Sequence, residues 1–61
     1  MTNKELKLVV LEAASILGRF NPMAYSEKYR ARLMTQAWKL VKEGVLYWEI
    51  LDDGSIIFCL V

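Results

Sequence analysis

Apolar positions along the chain follow two different periods. From Leu6 to Leu17 they recur at three- and four-residue intervals: Leu6, Val9, Val10, Ala13, Ile16 and Leu17 fall on one arc of a 100°-per-residue wheel. Thr2-Asn3-Lys4-Glu5 ahead of that run has the form of a capping box, in which the threonine and glutamate side chains satisfy each other's orphan helix donors. Gly18 follows the run as a left-handed terminator. The pattern predicts a first helix with that arc as its core face. Leu8 and Leu11 project nearly opposite, among Lys4, Lys7, Ser15 and Arg19. They are either two exposed leucines of the kind proteins tolerate singly or a minor contact stripe for another chain.

Arg19-Phe20-Asn21-Pro22 breaks the pattern. Asn21 can cap, Pro22 suits a first helical position, and Ser26 offers a second cap with Glu27 in the turn that follows. The sequence is compatible with one long helix from Pro22, or with a short helical turn and then a main helix over residues 27–43 closed by Gly44. On this second helix Tyr29, Leu33, Met34, Ala37, Trp38, Leu40 and Val41 form a broad apolar arc. Lys28, Arg32, Thr35, Gln36, Lys39, Lys42 and Glu43 occupy the rest, four cations against one anion. Arg30 falls inside the apolar arc, where it either snorkels outward or marks a site.

From Val45 the period becomes that of strands. Asp53-Gly54 reads as a two-residue hairpin turn. Pairing outward from it sets Leu51 opposite Ile56, Glu49 opposite Phe58 and Leu46 opposite Val61. That register places Leu46, Trp48, Ile50, Ile57, Cys59 and Val61 on one face. Tyr47, Leu51, Ile56, Phe58 and Leu60 lie on the other, with Glu49 as the lone polar residue. A hairpin covering a core on one side alternates apolar with polar, and this one does not. Both ribbon edges are potentially open.

The expected fold class is therefore α+β: two main helices and a C-terminal antiparallel hairpin in a single small domain over residues 1–61. A chain this short buries only about 60% of its unfolded surface. With 56% apolar residues, one cysteine and no histidine, neither an internal disulfide nor a tetrahedral zinc site is expected to supply the missing stability. Association through the hairpin is the remaining route. Tyr47, Trp48, Leu51, Ile56, Phe58 and Leu60 have the aromatic-rich, charge-free composition of an interface core, and Leu8 and Leu11 add the minor stripe.

Net charge is +1, so only its distribution is informative. No stretch approaches the ~20 apolar residues of a membrane span, and the lone cysteine fits a reducing, cytoplasmic setting. Catalysis is not expected, because the usual acid–base group is absent and three glycines form no phosphate-cradling loop. No cofactor, metal or small-molecule substrate is expected either.

Leu40-Val41-Lys42-Glu43-Gly44-Val45-Leu46 followed by Asp52-Asp53-Gly54-Ser55-Ile56 resembles the end of a recognition helix running into the wing of winged-helix DNA-binding modules. It is also similar to the C-terminal part of small Cro-type repressors, whose strands mediate dimer contact. The resemblance covers the last 35 residues or so. It implies a dimeric DNA-binding transcriptional regulator in which Arg32, Thr35, Gln36 and Lys39 face the major groove while Lys28 and Lys42 take phosphates. The acidic Asp52-Asp53 tip departs from a DNA-touching wing, and suits a hairpin that joins subunits. The alternative expectation is a small inhibitor or adaptor of the phage or mobile-element type, capturing a partner protein through the apolar hairpin.

Overall fold

A computed structural model describes all 61 residues. Helix α1 spans Asn3–Ile16, a 3-10 turn spans Pro22–Ala24, and helix α2 spans Glu27–Lys42; strands β1 (Leu46–Ile50) and β2 (Ile56–Leu60) close the chain. Of the two readings of the middle segment, the short turn followed by a main helix is the one adopted.

Each boundary has a local cause. Thr2 accepts from the Glu5 amide and Glu5 accepts from the Thr2 amide, completing the capping box. The Asn21 Oδ1 accepts from the Met23 amide at 3.0 Å, and the Ser26 Oγ accepts from the Lys28 amide at 3.3 Å. Gly18 and Gly44 end the two helices at positive φ, a conformation that costs glycine nothing. Arg30 is half-buried rather than reaching out to solvent. Its Nε and Nη2 donate to the Pro22 and Tyr25 carbonyls, pinning the 3-10 turn to the start of α2.

Strands β1 and β2 pair with Leu46 opposite Leu60, Trp48 opposite Phe58 and Ile50 opposite Ile56. This register is one residue away from the expected one, and the turn explains why. A two-residue turn centred on Asp53-Gly54 requires positive φ at both positions, yet only Gly54 has it. Instead the Gly54 amide donates to the Leu51 carbonyl and the Leu51 amide to the Ser55 carbonyl, so three residues, Asp52 to Gly54, form the loop. Asp53 holds that shape by accepting from both the amide and the hydroxyl of Ser55.

A one-residue slip moves every side chain of one strand to the other face. Ile56, Phe58 and Leu60 therefore join Leu46, Trp48 and Ile50, while Tyr47 and Glu49 share their face with Ile57 and Cys59. The leftover apolar face expected to carry Tyr47, Leu51, Ile56, Phe58 and Leu60 together does not exist.

One ribbon edge is covered at a single residue. Phe20 pairs with Phe58 across the far side of β2, each amide donating to the other's carbonyl at 2.7 and 2.9 Å. The Phe20, Leu46 and Phe58 side chains are buried with Leu6, Val10, Ala13 and Ala14 of α1 and Leu33, Ala37 and Leu40 of α2. Ile16 and Leu17, expected in the core, are 77% and 72% exposed. They lie on the correct arc but at the helix end, and Ala14 is buried instead.

Phe58→Ala should remove about 3–5 kcal/mol, the usual cost of a buried phenylalanine. That is from about a third to all of the roughly 3–9 kcal/mol expected for a chain of this size, so the variant should show a sharply lowered denaturation midpoint. Ile50→Ala, at a strand position 63% exposed, should cost under about 1 kcal/mol. Urea denaturation followed by circular dichroism checks both.

Candidate nucleic-acid interface

Helix α2 is wedged between α1 and the hairpin, and this fixes which of its faces is free. Leu33, Gln36, Ala37 and Leu40 are buried, with Tyr29, Arg30, Met34 and Val41 half-buried beside them. The opposite arc is exposed: Lys28, Ala31, Arg32, Thr35, Lys39 and Lys42, with Glu27 and Trp38 on one border and Glu43 on the other. All four cations expected on this face are on it. No acidic side chain lies among them, because Glu27 and Glu43 stand at the first residue and the C-cap of the helix.

Individual positions differ from expectation. Gln36 is 7% exposed; it sits one turn beyond Arg32 on the flank that turns inward, so it does not face outward with the cations. Arg32 is exposed, but its Nη2 donates to the Met1 carbonyl and the Asn3 Oδ1, both at 3.1 Å. Its guanidinium is thereby held at the α1 side of the arc. The Thr35 hydroxyl donates back to the Ala31 carbonyl at 3.0 Å and remains at the surface. The Lys28 ammonium lies 5.4 Å from the centre of the Tyr29 ring, a cation–π distance.

The apolar border of this face was not legible in the sequence. Trp38, assigned to the core arc, is partly exposed and meets two aromatic rings edge-on, Trp48 at 5.8 Å and Phe58 at 5.0 Å. Trp48 and Ile50 continue this surface onto β1, and both are exposed.

The expected interface residues divide accordingly. Phe58 is fully buried and presents no surface, while Ile56 is half-buried against the core. Tyr47 is exposed on the other face of the ribbon, opposite Cys59; Leu51 is half-buried at the loop, and Leu60 is exposed near the chain end. Leu8 is exposed, whereas Leu11 packs against the core because α1 is covered on two sides, by α2 and β2. The two leucines form no common stripe.

Electrostatics at the hairpin are local. The Ser55 hydroxyl and amide hold the Asp53 carboxyl below its ordinary value. On the Tyr47 face, hydrogen bonding to Cys59, with the charges of Cys59 and Glu49 nearby, raises the Tyr47 phenol. The largest groove, about 560 Å³, lies between the 3-10 turn and the hairpin tip, lined by Asn21, Met23, Arg30, Met34, Asp53 and Ile56. Arg30 uses its Nε and Nη2 on backbone carbonyls there. No three histidine, cysteine or carboxylate side chains converge, and no helix is long and apolar enough to cross a membrane.

Comparison with protein-family models, curated proteins and solved structures finds no match.

A depressed carboxyl contributes stability that is complete above its unfolded value and is lost as pH falls through its folded value. Asp53 should therefore titrate below the ordinary ~3.9, and Ser55→Ala should return it toward that value. Carboxyl carbon chemical shifts followed by NMR from pH 6 to pH 2 measure both.

Proposed function

We propose that this protein is a small DNA-binding regulator that lays the outward face of α2 in the major groove. The observation carrying this reading is the exposed arc of Lys28, Arg32, Lys39 and Lys42, uninterrupted by acid, on a helix buttressed from behind by both α1 and the hairpin. A B-form major groove admits one α-helix, and phosphates along its walls attract a helix with cations on its outward flanks. Ala31 and Thr35 keep the centre of the arc low, so the backbone can approach base edges.

Roles follow from position. Lys28 and Lys42, near opposite ends of the arc, take phosphates. Thr35 and Lys39 are the candidates for base contact. Arg32, anchored to Met1 and Asn3, serves as a fixed charge rather than as a freely reaching fork. Gln36 has no place in this contact. The acidic tip at Asp52 and Asp53 keeps the hairpin away from phosphates. The winged-helix resemblance is compatible with Phe20, whose single bridge to Phe58 lies between α1 and the 3-10 turn.

Fluorescence anisotropy with labelled duplex DNA tests the reading. Binding at about 50 mM salt should weaken with a log–log salt slope of roughly −2 to −3, set by two or three phosphate contacts from Lys28, Lys42 and the fixed charge of Arg32. The double variant Lys28→Glu, Lys39→Glu should bind at least tenfold more weakly and with a shallower slope. Wild-type affinity in that variant, or no salt-sensitive binding by the native chain, would exclude DNA as the ligand of this face.

A further inference from the structure

The two edges of the sheet are treated unequally. Phe20 covers the outer side of β2 at its middle residue, Phe58, but nothing pairs with the outer side of β1. Hydrogen bonds at its ends fix which backbone groups point there. Val61 donates to Val45, and Leu51 donates to Ser55. Hydrogen-bonded pairs alternate along an antiparallel ladder, so Val45, Tyr47, Glu49 and Leu51 turn their backbone groups toward β2. The amides and carbonyls of Leu46, Trp48 and Ile50 point outward. Natural edges are commonly protected by charged side chains, proline or a bulge; β1 reads Leu-Tyr-Trp-Glu-Ile, with no lysine, proline or bulge and Glu49 as its one charge.

We infer that β1 pairs antiparallel with β1 of a second copy of this chain, about a two-fold axis at Trp48. Charge decides the register. An axis at Glu49 sets two carboxylates directly opposite each other, which is destabilising. An axis at Tyr47 or beyond either end leaves part of the strand unpaired. With the axis at Trp48 all five residues pair: Leu46 with Ile50 of the copy, Trp48 with itself, and Tyr47 with Glu49.

The last pair is complementary, since a phenol can donate to a carboxylate from the facing strand. On the helix-side face, Trp38 and Trp48 of both copies meet around the axis. The exposed parts of Tyr47, Trp48, Ile50 and Trp38 amount to on the order of 500 Å² per copy, given aromatic side chains of ~150–250 Å². Both copies together can therefore bury at most about 1,000 Å² from these side chains, the small end of the range for specific association. The dimer is therefore weak, with a dissociation constant in the micromolar range.

The test is solution mass by light scattering and sedimentation, on the full chain without DNA, from about 1 μM to 1 mM. The native chain should pass from monomer to dimer across that range. Tyr47→Glu sets two carboxylates against each other twice per dimer and should weaken association at least tenfold. Tyr47→Lys, meeting Glu49 of the copy, should leave it unchanged or tighter. A chain that is monomeric throughout, whether or not it captures some other protein, overturns the proposal. So does an equal response to the two substitutions.

Should both variants unfold, Trp48→Cys in a Cys59→Ser background decides the matter. Cα atoms of a directly opposed hydrogen-bonded pair stand about 5.5 Å apart, within disulfide reach. Mild oxidation should cross-link the copies, and failure to do so overturns the register. Because DNA is absent throughout, a monomer that still binds duplex DNA refutes the dimer alone.

Discussion

Phe58 is the residue on which the rest of the structure depends. Its backbone pairs with Phe20 on one side, and on the other it stands opposite Trp48 of β1. Its ring lies 6.0 Å from that of Phe20 and 5.0 Å from that of Trp38. Through these contacts one side chain ties together the segment after α1, helix α2 and both strands. A 61-residue chain has few such opportunities, because its core is only about a dozen side chains, and each buried aromatic removes ~150–250 Å² from water.

That arrangement also orients α2. Helix α1 and the sheet both press on it, so Leu33, Ala37 and Leu40 point inward and the lysines are left outside. Burial thus sorts the charges: a cation without a partner is expensive to bury, and the one half-buried cation, Arg30, is satisfied by two carbonyls. The outward arc is a consequence of packing, and its chemistry suits a polyanion. The hairpin has the opposite character, with an acidic tip and an aromatic flank. One molecule therefore carries two surfaces of different kinds, a basic helix face and an open apolar strand edge, separated by Trp38.

Much of this was written locally. The capping box at Thr2 and Glu5, the caps at Asn21 and Ser26, and the terminators Gly18 and Gly44 act within a few residues, so the sequence alone placed both helices and the switch to strands. The wheel of the second helix likewise separated its four exposed cations from its core. Such features are legible because side-chain period and capping chemistry depend on near neighbours only.

Other decisions needed more than helical period and capping. The hairpin register turned on whether Asp53 would accept positive φ or, instead, bind Ser55 and lengthen the loop, and that choice reassigned every side chain of β2. Gln36 went inside, and Ile16 and Leu17 stayed outside, because burial depends on where a neighbouring element ends as well as on wheel angle. Arg30 became a clamp once the Pro22 and Tyr25 carbonyls came within reach. The sequence determined the elements, their order and the basic arc, all set by contacts a few residues long. Only the tertiary structure decided which ribbon face is core, because that depends on the register and on where the helices pack, and which edge is open, because that depends on Phe20 reaching across to Phe58.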